Sequence, residues 1–354
     1  MSVPIAGPVL VIGSGLLGAS VGLALRRAGV QVWLDDADPT ALAEAVARGA
    51  GDPWAPGVGE PRLVVVAVPP AAAGEAMARA SAWEAATITD VTSVKSEPLA
   101  AAVAAGADPG RLVGGHPMAG RETAGAAAAR HDLFDDRVWV LTPLAETATD
   151  RADEVRDLAI TCGAVPVVMA PEEHDRAVAL TSHAPQVISS LLAARLLDAD
   201  ADAVSVSGQG LRDMTRIAGS DPALWRAILR SNASAVADVL EAYARDLDDA
   251  IARLRSRDDV IGMLEQGAAG RQRIPGKHGA EATAFDIVPV IVRDEPGQLG
   301  SLFVAAGQLD VNLEDVRIDH VLGKPSGLIE LSVRPEASAR LVEGLRSLGF
   351  DVRA

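Results

Sequence analysis

The chain has 354 residues, 49% of them hydrophobic but only 3% aromatic, enough for two or three domains with cores of Ala, Val, Leu and Ile. Its 48 acidic and 32 basic residues give a formal net charge of −16, which repels nucleic-acid backbones and anionic lipid surfaces and leaves small molecules or proteins as partners. The single cysteine, Cys162, excludes an intrachain disulfide, and no Cys/His cluster has metal-ligand spacing, so no metal is expected.

The amino terminus, "MSVPIAGPVLVIG", lacks the basic segment, apolar stretch and cleavage site of a signal peptide. The longest apolar run, "LVVVAVPPAAAG", is too short for a membrane span and is broken by proline, so a cytoplasmic location is expected. From Pro8 to roughly Pro166, short runs such as "VLVIG", "VQVWLDD", "RLVVVAVPP", "ATITDVTS", "RLVGGHP", "VWVLTP" and "AVPVVM" alternate with Ala-rich stretches of helical length. Buried β-branched runs separated in this way predict a doubly wound α/β domain, a parallel sheet with helices on both faces, over residues 1–170.

Within it, "VLVIGSGLLGAS" places Gly13, Gly15 and Gly18 in G-x-G-x-x-G spacing between a strand and a helix. The first glycine permits the turn, the second lets a pyrophosphate approach the backbone, and the third lets the helix pack on the strand. Leu16 and Leu17 open that helix, and Val68 and Pro69 follow a neighbouring strand, so all are expected at the cofactor. Asp35, at the end of the second strand, suits the adenosine ribose of NAD and repels the 2′-phosphate of NADP, whereas Asp36 reads as an exposed neighbour.

Two polar loops are expected beyond the carboxyl ends of the strands, "DVTSVKSE" and "GGHPMAGRET". The second holds His116 between glycines and a proline, and it is the nearby residue able to take a proton near neutral pH. With Ser93 it forms a candidate acid–base pair, and oxidation of an alcohol by NAD requires such a base.

Residues 171–265 show helical periodicity without a strand-like run, in segments such as "LWRAILRSNASAVADVLEAYARDLDDAIARLRS". Their surplus apolar positions suggest a subunit interface. The stretch "EQGAAGRQRIPGKHGAEA" reads as a linker over 266–283. Residues 284–354 then predict a ferredoxin-like βαββαβ unit.

The motifs "GSGLLGAS", "DVTSVK", "GGHPMAGRETAG", "HDRAVALTSHAPQ" and "LRDMTRIAGSDPALW", in that order, resemble the prephenate and arogenate dehydrogenase family. The resemblance implies a Rossmann-like NAD domain, a helical domain that forms a homodimer, and a C-terminal ACT domain. It implies oxidative decarboxylation of a cyclohexadienol. Prephenate giving 4-hydroxyphenylpyruvate for tyrosine biosynthesis is the first expectation, and arogenate, or dual use of both, is the alternative. In this likeness His116 accepts the hydrogen bond of the substrate hydroxyl, Ser93 orients it beside nicotinamide, and Arg216 clamps the ring carboxylate. His174, Ser182 and His183 line the cleft, Glu122 gates it, and Trp225 is core or cleft wall. Gln186 stands where several relatives carry histidine, so contacts to the substrate side chain depart from theirs, and Arg212 and Gln209 are near enough in sequence to read it. In the tail, Asp294, Pro296, Gly297, Leu299 and Asn312 correspond to an amino-acid effector site, with tyrosine favoured over phenylalanine.

Two other readings compete. A β-hydroxyacid dehydrogenase shares the layout, but no lysine lies between Lys95 and Lys277 to serve as the catalytic lysine of its second domain. A non-catalytic sensor of nucleotide and amino acid is disfavoured by His116, Ser93 and Arg216 occurring together.

Overall fold

A computed structural model describes residues 5–119, 125–274, 285–320 and 325–353. It divides into two compact units, Met1–Arg245 and Asp246–Ala354.

The first unit opens with a strand–helix alternation: β1 Val9–Ile12, α1 Leu16–Arg27, β2 Val32–Asp35, α2 Pro39–Ala47, β3 Asp52–Pro53, β4 Leu63–Val66, α3 Pro70–Ala80, β5 Thr87–Asp90 and α4 Ser96–Ala104. It continues through β6 Leu112–Pro117, β7 Val138–Pro143, α5 Thr149–Thr161 and β8 Val165–Val168. These strands form one eight-stranded sheet in the order β3-β2-β1-β4-β5-β6-β7-β8. Side chains alternate across it as the strand period of two requires. Val9, Val11, Leu63 and Val65 pack on one face with α1, α2 and α5, while Leu10, Ile12, Val64 and Val66 pack on the other with α3 and α4. Both faces are therefore buried, which is why these strands carry unbroken apolar runs.

Two expectations need correction here. The sheet is not wholly parallel, because β7 runs antiparallel to β6. And His116 lies on β6 rather than in a loop, with Gly114, Gly115 and His116 paired to Thr142, Leu141 and Val140. The glycines serve packing, not turning: a Cβ at Gly114 would fall 2.2 Å from Thr142 Oγ1, and one at Gly115 2.5 Å from the Asp90 carbonyl oxygen.

Helices follow: α6 Pro171–Val178, a π-turn Ala179–His183, α7 Ala184–Ala194, α8 Ala201–Ser205, α9 Gln209–Thr215, α10 Pro222–Ser231 and α11 Ala233–Ser256. The stretch Pro171–Asp198 is, by length and composition alone, long and apolar enough to cross a membrane, whereas no such stretch is expected from sequence. Here it is interrupted by the π-turn and carries the buried His174 and Asp175. The long periodic segment after Leu224 is likewise two helices, broken at Asn232, whose side chain is drawn into the interior.

In the second unit, α12 Ile261–Gln272 runs on from the stretch expected to be helical into residues 266–272 of the stretch read as a linker. Its Ala, Glu, Gln and Leu residues are strong helix formers and sustain a helix that is exposed on every side, so the apolar pattern gave no sign of it. Beyond it come β9 Asp286–Arg293, α13 Gln298–Gln308, β10 Asp315–His320, β11 Ser326–Val333, α14 Pro335–Ser347 and β12 Asp351–Val352. The expected βαββαβ order is present, as an antiparallel sheet in the order β10-β11-β9-β12. Val288, Val290, Ile329, Leu331, Leu302 and Leu341 form its core.

Candidate active site

The glycine loop joins β1 to α1. Gly13 has φ +99°, and a Cβ there would meet the Ala67 carbonyl oxygen at 2.4 Å. A Cβ at Gly18 would meet the Gly13 carbonyl oxygen at 1.9 Å, so helix and strand approach too closely for any side chain. Gly15 faces open space. It precedes α1 without a side-chain cap, which leaves the first N–H groups of Leu16, Leu17 and Gly18 directed at whatever fills that space. Val68 is partly buried and Pro69 caps α3 beside the loop's neighbour Ala67. This cradle fits a dinucleotide pyrophosphate.

The acid at the cradle is Asp36, not Asp35. The Asp36 carboxylate accepts hydrogen bonds from the Ser14 backbone N–H at 2.5 Å and the Ser14 hydroxyl at 2.7 Å, and a second oxygen accepts from the Asp38 N–H at 2.8 Å. Partial burial raises its pKa, but these donors outweigh that and leave it below the usual carboxylate value. Asp35 instead has an exposed side chain, and its backbone carbonyl accepts from the Gly13 N–H.

Three strands away, the end of β5 builds a buried polar cluster. Asp90 and Lys95 are both inaccessible and form an ion pair, with Thr92 bonded to the same Asp90 oxygen. Lys95 Nζ also donates to the Gly115 carbonyl at 2.5 Å, while the Gly115 N–H donates to the other Asp90 oxygen at 3.2 Å. The pair thus grips both ends of the residue before His116. Burial pulls the Lys95 pKa down against the attraction of Asp90.

His116 is 9% exposed, and its Nδ1 lies 2.8 Å from Nε2 of His174. His174 Nδ1 lies 2.8 Å from Asp175 Oδ1. Asp175 in turn accepts from the Lys95 and Ser96 N–H groups, each at 2.8 Å, at the amino end of α4. Burial pushes the Asp175 carboxyl up, but hydrogen bonds from His174, Ser96 and Lys95 outweigh it and hold the pKa at about 2. For His116 the balance goes the other way. Desolvation comes first, and the repulsion a second cation would meet from Lys95 or from a protonated His174 or His183 adds to it, so its pKa lies well below 6.5 and the imidazole is neutral at working pH.

Asn232 closes the far side. Its side-chain amide donates to the Asp175 carbonyl at 2.8 Å and contacts His183 Nδ1 at 3.1 Å. His183 is buried, which lowers its pKa to about 4, and its ring meets Trp225 edge-on at 6.0 Å.

The structure therefore joins His116, His174 and His183 in one network, with Lys95, Asp90, Asp175 and Asn232, which sequence reasoning did not single out. The first two lay inside the "DVTSVK" motif and Asp175 inside "HDRAV", but no spacing rule distinguishes a buried charge from a solvated one. Ser93 does not pair with His116 in this structure. Its partly buried hydroxyl makes no hydrogen bond among the described residues, and the imidazole is held by His174 instead. Arg216 opens a 3-10 turn, Arg216–Gly219, and is exposed without an ion pair among the described residues. Gln186 is buried and donates to the Ile217 carbonyl at 3.0 Å, tying α7 to that turn, while its Oε1 has no partner among the described residues. Ser182 is partly exposed and makes no side-chain hydrogen bond among the described residues, and Glu122 lies outside them. Arg212 is exposed, and Gln209 is occupied by Asp213. Among the described residues no cluster could hold a metal ion.

A dinucleotide cradle and a buried neutral imidazole carried by one sheet define the class, a nicotinamide-dependent dehydrogenase. Residues 21–168 match the family described as "Prephenate dehydrogenase, nucleotide-binding domain", and residues 170–265 match "Prephenate dehydrogenase, dimerization domain". The chain is 36% identical to "Probable prephenate dehydrogenase NovF" of Streptomyces niveus, over 95% of this chain and 97% of that one. It is 27% identical to the prephenate dehydrogenase of Bacillus subtilis, over 95% and 94%. Among solved structures, A. aeolicus prephenate dehydrogenase in complex with hydroxyphenyl propionate and NAD+ superposes with a TM-score of 0.68 at 28% identity, covering 75% of this chain and 97% of that one. Synechocystis arogenate dehydrogenase gives 0.66 at 26%, covering 74% and 98%. The chain belongs to the prephenate dehydrogenase family.

Proposed function

We propose that this protein catalyses the NAD-dependent oxidative decarboxylation of prephenate to 4-hydroxyphenylpyruvate in tyrosine biosynthesis. The observation that carries the reading is the neutral, buried His116 on β6, in the same sheet as a glycine cradle that a dinucleotide fits. Gly13, Gly15 and Gly18, with the first N–H groups of α1, hold the pyrophosphate, and Asp36 receives the adenosine ribose and repels a 2′-phosphate. When bound, NAD supplies the hydride acceptor.

His116 takes the proton of the substrate hydroxyl as hydride leaves the same carbon. The ring–carboxylate bond then breaks with release of carbon dioxide, its electrons aromatise the ring, and the phenolic oxygen recovers the proton held by His116. Arg216 clamps a substrate carboxylate through its planar fork, consistent with an exposed guanidinium that no acid occupies among the described residues. The free Ser93 hydroxyl is available to orient substrate or nicotinamide, and His183, Ser182, Gln186 and Glu122 are assigned to the rest of the substrate pocket.

Arogenate is the second reading, favoured by Gln186. Its amide nitrogen is spent on Ile217, so a buried oxygen acceptor without a partner is left, and an amino group could satisfy it. Initial rates of NADH formation with prephenate and with arogenate decide between them, and no NADH from either would refute the assignment. His116→Asn is expected to keep NAD affinity and lose turnover by a factor on the order of 100 or more.

The protein acts as a cytoplasmic homodimer built on the helices of residues 171–265, which expose Leu191, Leu197 and Val206 in the single chain. The βαββαβ unit acts as an ACT domain that binds an amino acid, tyrosine before phenylalanine, at the Asp294–Gly297 turn. There Asp294 and Pro296 are exposed, and Gly297, at φ +90°, starts α13. Two parts of that expectation shift: Leu299 packs partly into the core, and Asn312 precedes β10 and bonds Glu314. Calorimetry of the full chain with tyrosine and phenylalanine tests the effector, and sedimentation tests the dimer.

A further inference from the structure

The hydrogen bonds behind His116 fix the location of a proton as well as the position of a ring. A carboxylate can only accept, so the contact between His174 Nδ1 and Asp175 Oδ1 puts the His174 proton on Nδ1. A neutral His174 then carries its lone pair on Nε2. The 2.8 Å contact from that atom to His116 Nδ1 is a hydrogen bond only if His116 donates from Nδ1. Neutral His116 is left with its lone pair on Nε2, the ring nitrogen with no hydrogen-bond partner among the described residues.

We propose that Asp175 and His174 are positioning residues that lock His116 in the Nδ1–H tautomer and so make its Nε2 the base of the site. The proposal rests on the reading of His116 as the base of the reaction. Three observations support it. Asp175 cannot drift, because two backbone N–H groups at the amino end of α4 hold both its oxygens. With its pKa held at about 2, it is a carboxylate, and therefore an acceptor, at neutral pH. His174 is wholly inaccessible, and both ring nitrogens are engaged by the protein, which leaves it no direct role toward a substrate.

The arrangement also balances charge during the reaction. Titratable groups facing His116 are His174, His183, Lys95 and Asp175, with Asp90 reached through Gly115. Lys95 is paired with Asp90, so the positive charge that arises when His116 accepts the hydroxyl proton has Asp175, through His174, as its counter-charge.

The test uses the full-length protein labelled with 15N-histidine. Two-bond 1H–15N correlations read the tautomer of each ring, and His116 is assigned by the signal lost in His116→Asn. The expected result at pH 7.5 is a protonated Nδ1 and a bare Nε2 in the wild type. In Asp175→Asn a side-chain NH2 can face His174, so the His116 tautomer should invert or mix. Its kcat should fall by a factor on the order of 100 to 10,000, the range known for a mis-set catalytic histidine. NAD affinity should stay unchanged, and the acid limb of the kcat profile should move to lower pH because the counter-charge is lost. A wild-type His116 protonated on Nε2 would overturn the proposal, whether or not the variant folds. So would an Asp175→Asn enzyme with unchanged tautomer and kcat within threefold. The expected tautomer in a protein that turns over neither prephenate nor arogenate would uphold the lock and sink only the functional reading.

Discussion

Replacing Lys95 by methionine removes a buried cation while keeping most of the volume of its stem. In the native chain Lys95 Nζ neutralises Asp90 and donates to the Gly115 carbonyl, and both side chains of the pair are inaccessible. The variant leaves the Asp90 carboxylate without a counter-charge and the Gly115 carbonyl without its donor. Breaking a buried pair from one side costs about 3–5 kcal/mol, against near neutrality when both partners are replaced by groups that satisfy each other. Urea unfolding followed by tryptophan fluorescence at pH 7.5 measures the loss. All five tryptophans, Trp33, Trp54, Trp83, Trp139 and Trp225, lie in the first compact unit, so the signal reports that unit alone. The double variant Lys95→Met with Asp90→Asn should recover half of the deficit or more, because it removes the unpaired buried charge while the amide oxygen still accepts from the Gly115 N–H, at the loss of the acceptor for the Thr92 N–H. A single-variant loss below about 1 kcal/mol, or a double variant no more stable than the single, would refute the account of the cluster.

Asp36→Ser should raise the rate with NADP relative to NAD at least tenfold, since a carboxylate bonded to the glycine loop stands where a 2′-phosphate would come; Asp35→Ser should leave the ratio unchanged, and paired initial rates check both. Acid should destabilise the first unit early. The folded pKa of His183, about 4, lies below the unfolded value of 6.5, so the unfolded chain binds more protons between them. Stability is full above pH 6.5 and falls as pH drops toward 4, by at most about 3 kcal/mol from this group. His116 adds a loss of the same sign, Asp175 adds another only as pH falls below the usual aspartate value toward 2, and urea midpoints against pH should be flatter in His183→Asn.

Much of the fold could be read from the chain, because period-two and period-3.6 patterns report burial directly. The glycine loop was legible since its chemistry is positional: a pyrophosphate lying against backbone N–H groups demands residues without side chains at fixed spacing between a strand and a helix. Two neighbouring acids at a strand end were not. Which of Asp35 and Asp36 turns to the loop depends on where β2 stops, and that is set by Gly13 donating to the Asp35 carbonyl. The strand character of "GGHP" was hidden because glycine and proline signal turns in isolation, whereas here the glycines admit Asp90 and Thr142. Lys95, Asp90 and Asp175 carry charges that sequence statistics place on the surface. Only the meeting of β5, β6, α4 and α6 shows that they compensate one another. Asn232 was masked by the continuous apolar period on either side of it.

The order of the pieces along the chain also bears on synthesis. The glycine cradle and β6 leave the ribosome before residue 118, whereas His174 and Asp175 emerge with α6, after the last strand of the sheet. A chain that ends before α6 carries the glycine loop and His116 but lacks the two residues behind the imidazole. With His116 as the base and that pair setting its tautomer, proton abstraction is expected only once α6 has joined the sheet.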